Sequence, residues 1–110
     1  MINHIVLFRF KSNVTPEEIK LVFNSICTLA QKFQGVKNFS WGPNTNKEGY
    51  DQGYEYGLFL QFDSIATRSA YQNHPYNQKI SQEIVIPMLC KKENPALVFD
   101  FDTEMLGYSK

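Results

Sequence analysis

Along residues 2–11 apolar and polar positions alternate with a period of two, which predicts a strand with His4, Val6, Phe8 and Phe10 on one face and Ile5, Leu7 and Arg9 on the other. Both faces are largely apolar. The run Thr15-Pro16-Glu17-Glu18 predicts a helix start, because Thr15 can accept a backbone N–H, Pro16 suits the first turn and Glu18 can close a capping box. Ile19, Phe23, Ile26, Ala30 and Phe33 then recur every three or four residues, the stripe of an amphipathic helix, and Gly35 ends it. Residues 36–41 read as a second strand, and the polar, glycine-punctuated residues 42–53 as a long loop. Residues 54–62 alternate again, with Tyr54, Tyr56, Leu58, Leu60 and Phe62 opposite Glu55, Gly57, Phe59 and Gln61. Asp63-Ser64 can cap a short helix, which must end near Asn73 because a residue before proline, here His74, is pushed out of helical geometry. Residues 76–90 restart helically with Ile80, Ile84 and Met88 on one side and Pro87 kinking the last turn. A loop over 91–95, a last strand over 96–102 and a loosely held tail over 103–110 complete the chain.

The order strand, helix, strand, strand, helix, strand is that of an α+β, ferredoxin-like domain, an antiparallel sheet with helices on one face. Helices that cover one face leave the other bare. Ile5 and Leu7 oppose Val6 and Phe8, and Phe59 opposes Leu58, so the bare face is apolar as well. A patch of that kind marks a partner surface, and a homodimer packed sheet on sheet would cover it.

With 110 residues the chain makes one domain, assigned to residues 2–102 with the tail at 103–110. Eleven basic and eleven acidic residues cancel, so the field that gathers phosphate backbones is missing and no nucleic-acid partner is expected. The first ten residues lack the features of a signal peptide and no apolar run reaches spanning length, so a soluble, cytoplasmic protein without membrane contact is expected. Cys27 and Cys90 have no metal-ligand spacing and read as reduced, buried thiols. The glycosylation patterns at Asn13-Val14-Thr15 and Asn38-Phe39-Ser40 carry meaning only in a secreted chain.

Four landmarks fall in a fixed order: His4 in the first strand, Trp41-Gly42-Pro43-Asn44 closing the second, His74-Pro75 between two helical segments, and Phe99-Asp100-Phe101 in the last strand. With these separations residues 2–102 resemble the stress-responsive dimeric α/β-barrel (Dabb) family. The resemblance implies a homodimer in which two sheets close a barrel between subunits, with a pocket between sheet and helices in each. In the plant polyketide cyclase of that family the pocket is lined by positions matching His4, Val6, Phe8, Phe23, Ile26, Cys27, Leu58, Tyr71, Ile80 and Met88. A small apolar or aromatic ligand is therefore expected.

The chemistry-bearing candidates are few. His4 can serve as base, acid or ligand near neutral pH, Tyr71 can donate to a developing oxyanion, and Tyr56, on the strand face of Leu58, can bring its hydroxyl towards His4. The sequence offers no third group obviously placed to orient His4: Asp100, on the last strand and on the pocket side by analogy with the family, could do so or could equally cap a loop. His74 reads first as an elbow set by Pro75, and with Asn77 it stands among the positions at the pocket. The cyclase resemblance implies catalysis by a tyrosine matching Tyr71 and a histidine at the position of Asn77, and a second pocket histidine matches Tyr56. Asparagine takes no proton at neutral pH, so cyclase activity does not carry over. No metal or other cofactor is expected, because His4 and His74 have no carboxylates at ligand spacing; the resemblance leaves open a magnesium ion held through backbone oxygens at the turn from Gln34 to Asn38, which would leave no sequence trace. Two readings stay open: a small stress-response protein that binds an apolar or aromatic ligand, and a cyclase- or lyase-like enzyme using His4 and Tyr71.

Overall fold

Strand β1 (Ile2–Phe8) takes the inner place its two-sided apolar pattern predicts, paired antiparallel with β3 (Tyr56–Phe62) on one side and β4 (Ala96–Asp102) on the other. Strand β2 (Val36–Pro43) pairs antiparallel with β3, giving the sheet order β2-β3-β1-β4 of an α+β, ferredoxin-like fold. This computed structural model describes residues 1–104, so all but the first two residues of the expected tail lie outside the described residues. Thr103 is not loose: its N–H donates to the Met1 carbonyl at 3.0 Å, and its hydroxyl accepts from the Asn3 amide at 2.8 Å.

Two strands begin or end short of the alternation, for reasons visible in the backbone. After Phe8 the Arg9 N–H turns to the Pro95 carbonyl at 2.8 Å, and Phe10 keeps a single bridge with Leu89. Ahead of β3, the Tyr54 N–H closes a turn onto the Asp51 carbonyl at 2.9 Å, so Tyr54 stands outside the ladder.

Helix α1 (Pro16–Gln31) opens on the expected capping box, with the Glu18 N–H donating to the Thr15 hydroxyl at 3.2 Å and the Thr15 N–H to the Glu18 carboxylate at 3.0 Å. It buries Ile19, Val22, Phe23, Leu29 and Ala30 against the sheet. The turn after it needs glycine, since Gly35 has φ +91° and a Cβ there would sit 2.6 Å from an Asp63 carboxylate oxygen. Helix α2 (Ile65–Gln72) is capped by Ser64, whose hydroxyl accepts the Thr67 N–H at 3.1 Å. Helix α3 (Pro75–Ile80) is capped by His74, whose Nδ1 accepts the Tyr76 N–H at 3.1 Å. The expected continuous helix over 76–90 is interrupted. Ser81–Val85 form a π turn and Ile86–Met88 a 3-10 turn, because Pro87 has no N–H and its ring crowds the carbonyl four residues earlier.

Among the described residues, helices cover one sheet face only. Beneath them Phe23 stacks on Trp41 with ring centroids 4.4 Å apart and meets Phe8 edge-on at 5.4 Å. On the other face β4 leaves Leu97 41 %, Phe99 57 % and Phe101 45 % exposed. Parity places them with Ile5, Leu7 and Phe59 on that open side. One end of this face is polar: the Gln61 side-chain amide donates to Asn3 Oδ1 at 2.7 Å.

Candidate functional site

The register of β1 against β4 puts Asp100 directly opposite His4, and residues opposite each other in a ladder point to the same face. Asp100 Oδ1 therefore lies 2.5 Å from His4 Nδ1, while Arg68 reaches down from α2 to place its Nη1 3.2 Å from Asp100 Oδ2. A carboxylate accepts only, so the neutral imidazole carries its proton on Nδ1 and leaves the Nε2 lone pair open. Among the described residues Nε2 has no hydrogen-bond partner, and no fully buried side-chain nitrogen or oxygen is left unpartnered, so Nε2 opens onto accessible space.

That space is a cavity of about 240 Å³ between the sheet and the segment running from α2 through the π turn, open on the side of β4, where Val98 is 57 % exposed. His4, Val6, Phe8, Ile26, Leu58, Tyr71, Asn77 and Ile80 line it together. Leu60, Gln72, Ser81, Val85 and Val98, not singled out from the sequence, complete the wall. The π turn contributes Ser81 and Val85, a bulge of the kind often found at functional sites.

Five expected pocket residues stand elsewhere, among them Cys27, which lines a separate depression with Ala30, Val36 and Asn38. Phe23 is fully buried in the aromatic cluster with Trp41, and Tyr56 joins that cluster, 5.6 Å from Phe10. Tyr56 shares the face of His4 but pairs with Phe8, whereas His4 pairs with Leu60. Four residues along a strand amount to roughly 13 Å, so the expected approach of the Tyr56 hydroxyl to His4 does not occur. Met88 follows the π turn and receives the Lys11 N–H at its carbonyl, at the Phe10 end of the sheet. His74 is spent on capping α3 and packs edge-on against Phe33 at 5.1 Å.

Tyr71 is 4 % exposed, and burial pushes its phenol up from 10.0 to about 12, with the neighbouring Cys27 thiol acting in the same direction. The hydroxyl stays a protonated donor across the physiological range. Among the described residues it has no hydrogen-bond partner, and Tyr71 is one of the residues of the cavity wall. The raised value has a consequence for stability: the unfolded chain loses this proton from about pH 10, the folded one only near 12, so this contribution is intact below pH 10 and lost between the two. Tyr71→Phe is expected to remove that loss, gaining on the wild type by roughly 1.4 kcal/mol per pH unit over this window. Denaturant unfolding at stepped alkaline pH checks it, and parallel stability curves for the two proteins would refute it.

Asn77 presents its amide at the cavity wall, with its nitrogen donating to the Gln72 carbonyl at 3.3 Å. It can orient a ligand but holds no titratable proton. Among the described residues no three His, Cys, Asp or Glu side chains come together as a metal cluster. Cys27 and Cys90 are unpaired and half-buried, and no described helix is long and apolar enough to cross a membrane.

Comparison with known proteins gives this geometry its context. The model of the stress-responsive A/B barrel domain matches residues 2–103. The stress-response A/B barrel domain-containing protein HS1 of Arabidopsis thaliana is 30 % identical over 74 residues, which cover 67 % of this chain and 68 % of that protein. Olivetolic acid cyclase of Cannabis sativa is 23 % identical over 74 residues, covering 67 % of this chain and 73 % of the cyclase. A dimeric ferredoxin-like protein of unknown function from Jannaschia superposes with a TM-score of 0.81 at 24 % identity, covering 93 % of this chain and 98 % of that one.

Proposed function

The chain belongs to the stress-responsive A/B barrel domain family, and from that premise we propose that it is a homodimer, each subunit of which binds a small apolar or aromatic compound in the His4 cavity. The observation that carries this reading is the meeting of two open polar atoms, His4 Nε2 and the Tyr71 hydroxyl, in an otherwise mainly apolar wall. Ligand sites are commonly built this way, a greasy lining with a few placed polar groups, and about 240 Å³ is below the usual range for drug-sized molecules. One ring with a short substituent suits it. The dimer is supported by the apolar open face and by the dimeric structure of the Jannaschia relative. A reducing, cytoplasmic setting is supported by the two unpaired thiols.

A second reading, proton-transfer catalysis, is favoured by one specific observation, the bond from His4 Nδ1 to Asp100. A base oriented by a third group is the arrangement that general-base enzymes use. His4 would take the proton and Tyr71 would stabilise the resulting oxyanion, and Asn77 keeps this chemistry distinct from cyclisation by a histidine at that position.

Binding is tested by titrating the protein with phenol, acetophenone and short alkylphenols while following amide and ring signals. Saturable shifts centred on His4, Tyr71, Asn77 and Val85 are expected. Shifts absent from these residues across the panel would overturn the binding reading.

A further inference from the structure

Resting on the reading of the His4 cavity as a ligand site, we propose that Arg68 is a positioning residue that holds His4 neutral and Nδ1-protonated, so that the ring meets a ligand hydroxyl or acidic C–H as a proton acceptor at Nε2. The carboxylate of Asp100 is divided between two partners, Oδ1 to His4 at 2.5 Å and Oδ2 to Arg68 at 3.2 Å. With His4 neutral, the charges of Arg68 and Asp100 cancel. Protonating His4 would leave a net positive charge among side chains that are only 10 %, 20 % and 27 % exposed for His4, Asp100 and Arg68. Without Arg68 the balance reverses, because the carboxylate would then be neutralised only by an imidazolium, whose Nε2 is a donor and no longer an acceptor.

No other group competes for this role among the described residues. Asp100 faces His4 from β4, and Arg68 and Tyr71 come from α2, where the phenol stays protonated and brings no charge. The cavity wall contributes Leu58 and Leu60 from β3, Ile26 from α1, Asn77 and Ile80 from α3, and Ser81 and Val85 from the π turn, none of which titrates. Among the described residues the wall also lacks a free cation, since Arg68 is committed to Asp100. Such a site selects a neutral proton donor, a phenol, enol or ketone with acidic α-hydrogens, over a compound already ionised as a carboxylate.

The test needs no ligand, so it is decided whether or not any compound binds. Ring ¹⁵N signals of His4 are followed against pH in the full chain for the wild type, Arg68→Met, Arg68→Gln and Arg68→Lys. The expected wild-type ring is the Nδ1–H tautomer when neutral. In the Met and Gln variants His4 should take up its second proton at a higher pH than in the wild type, and Lys should restore most of the difference. His74, whose ring caps α3, serves as the internal reference and should not move. A merely structural Arg68 would alter stability without moving this titration. An Nε2–H tautomer in the wild type, or a His4 titration unchanged in whichever neutral variant folds, would overturn the proposal.

Discussion

Phe59→Asp is expected to convert the proposed dimer into monomers. Phe59 sits at the middle of the open face, paired with Ser40 of β2 on one side and Ile5 of β1 on the other, and Ile5 in turn pairs with Phe99 of β4. This row crosses the whole sheet, and among the described residues no helix lies over it. A carboxylate at its centre would be shut away from water without a counter-charge, which costs several kcal/mol per ion even after relaxation. In a two-fold dimer the substitution enters the interface twice, so the dissociation constant should rise by roughly a thousandfold or more. The helix-covered core, built on Phe23, Phe62, Leu60 and Val22, does not contain this position, so the monomer should keep its secondary structure. Leu7→Asp, one pair further along and opposite Gly57, should act in the same way. Light scattering and sedimentation over a dilution series give the answer. A wild-type chain that stays monomeric and folded at every concentration would remove the dimer.

The open face was legible because a strand's side chains alternate strictly: once His4, Val6 and Phe8 are assigned to the helices, Ile5 and Leu7 have nowhere else to point. The helix starts were equally legible, since Thr15, Ser64 and His74-Pro75 act on the backbone within three residues of themselves. The site was legible as a face and less so as a place. Parity put Tyr56 and His4 on one side of the sheet, but only the register shows that they lie opposite Phe8 and Leu60, too far apart to act together. Phe23 and Met88 followed the same logic, with periodicity naming the buried stripe without saying which end of the cavity it fills. Arg68 left no signal at all. A half-exposed arginine in a short helix looks like any solubilising residue until the β1–β4 ladder brings Asp100 beneath it. The π turn was hidden for a similar reason, because Pro87 announces a disturbed helix without specifying which widened turn absorbs it.

If the protein is a catalyst, His4→Ala should lower turnover by about a hundredfold to ten-thousandfold, the usual contribution of a positioned general base. The geometry makes this substitution unusually clean. Removing the imidazole does not strand Asp100 in the interior, because its other carboxylate oxygen keeps the Arg68 guanidinium at 3.2 Å. The penalty that normally follows when one member of a buried pair is deleted is therefore reduced, and both the fold and the proposed dimer should survive. Tyr71→Phe should cost less, since it deletes one donor to the developing oxyanion while the ring keeps its edge-on contact with Phe33 at 5.2 Å and its packing on Phe62 at 5.3 Å. Tyr56→Phe and His74→Ala should leave turnover close to wild type, because neither side chain lines the cavity. The measurement is turnover of a substrate found by screening hydroxylated aromatic and carbonyl compounds, run beside the binding titration on the same proteins. Unchanged rates in folded His4→Ala would exclude His4 as the proton acceptor. A wild-type protein that binds these compounds saturably at the His4 cavity and turns none of them over would leave binding as its function.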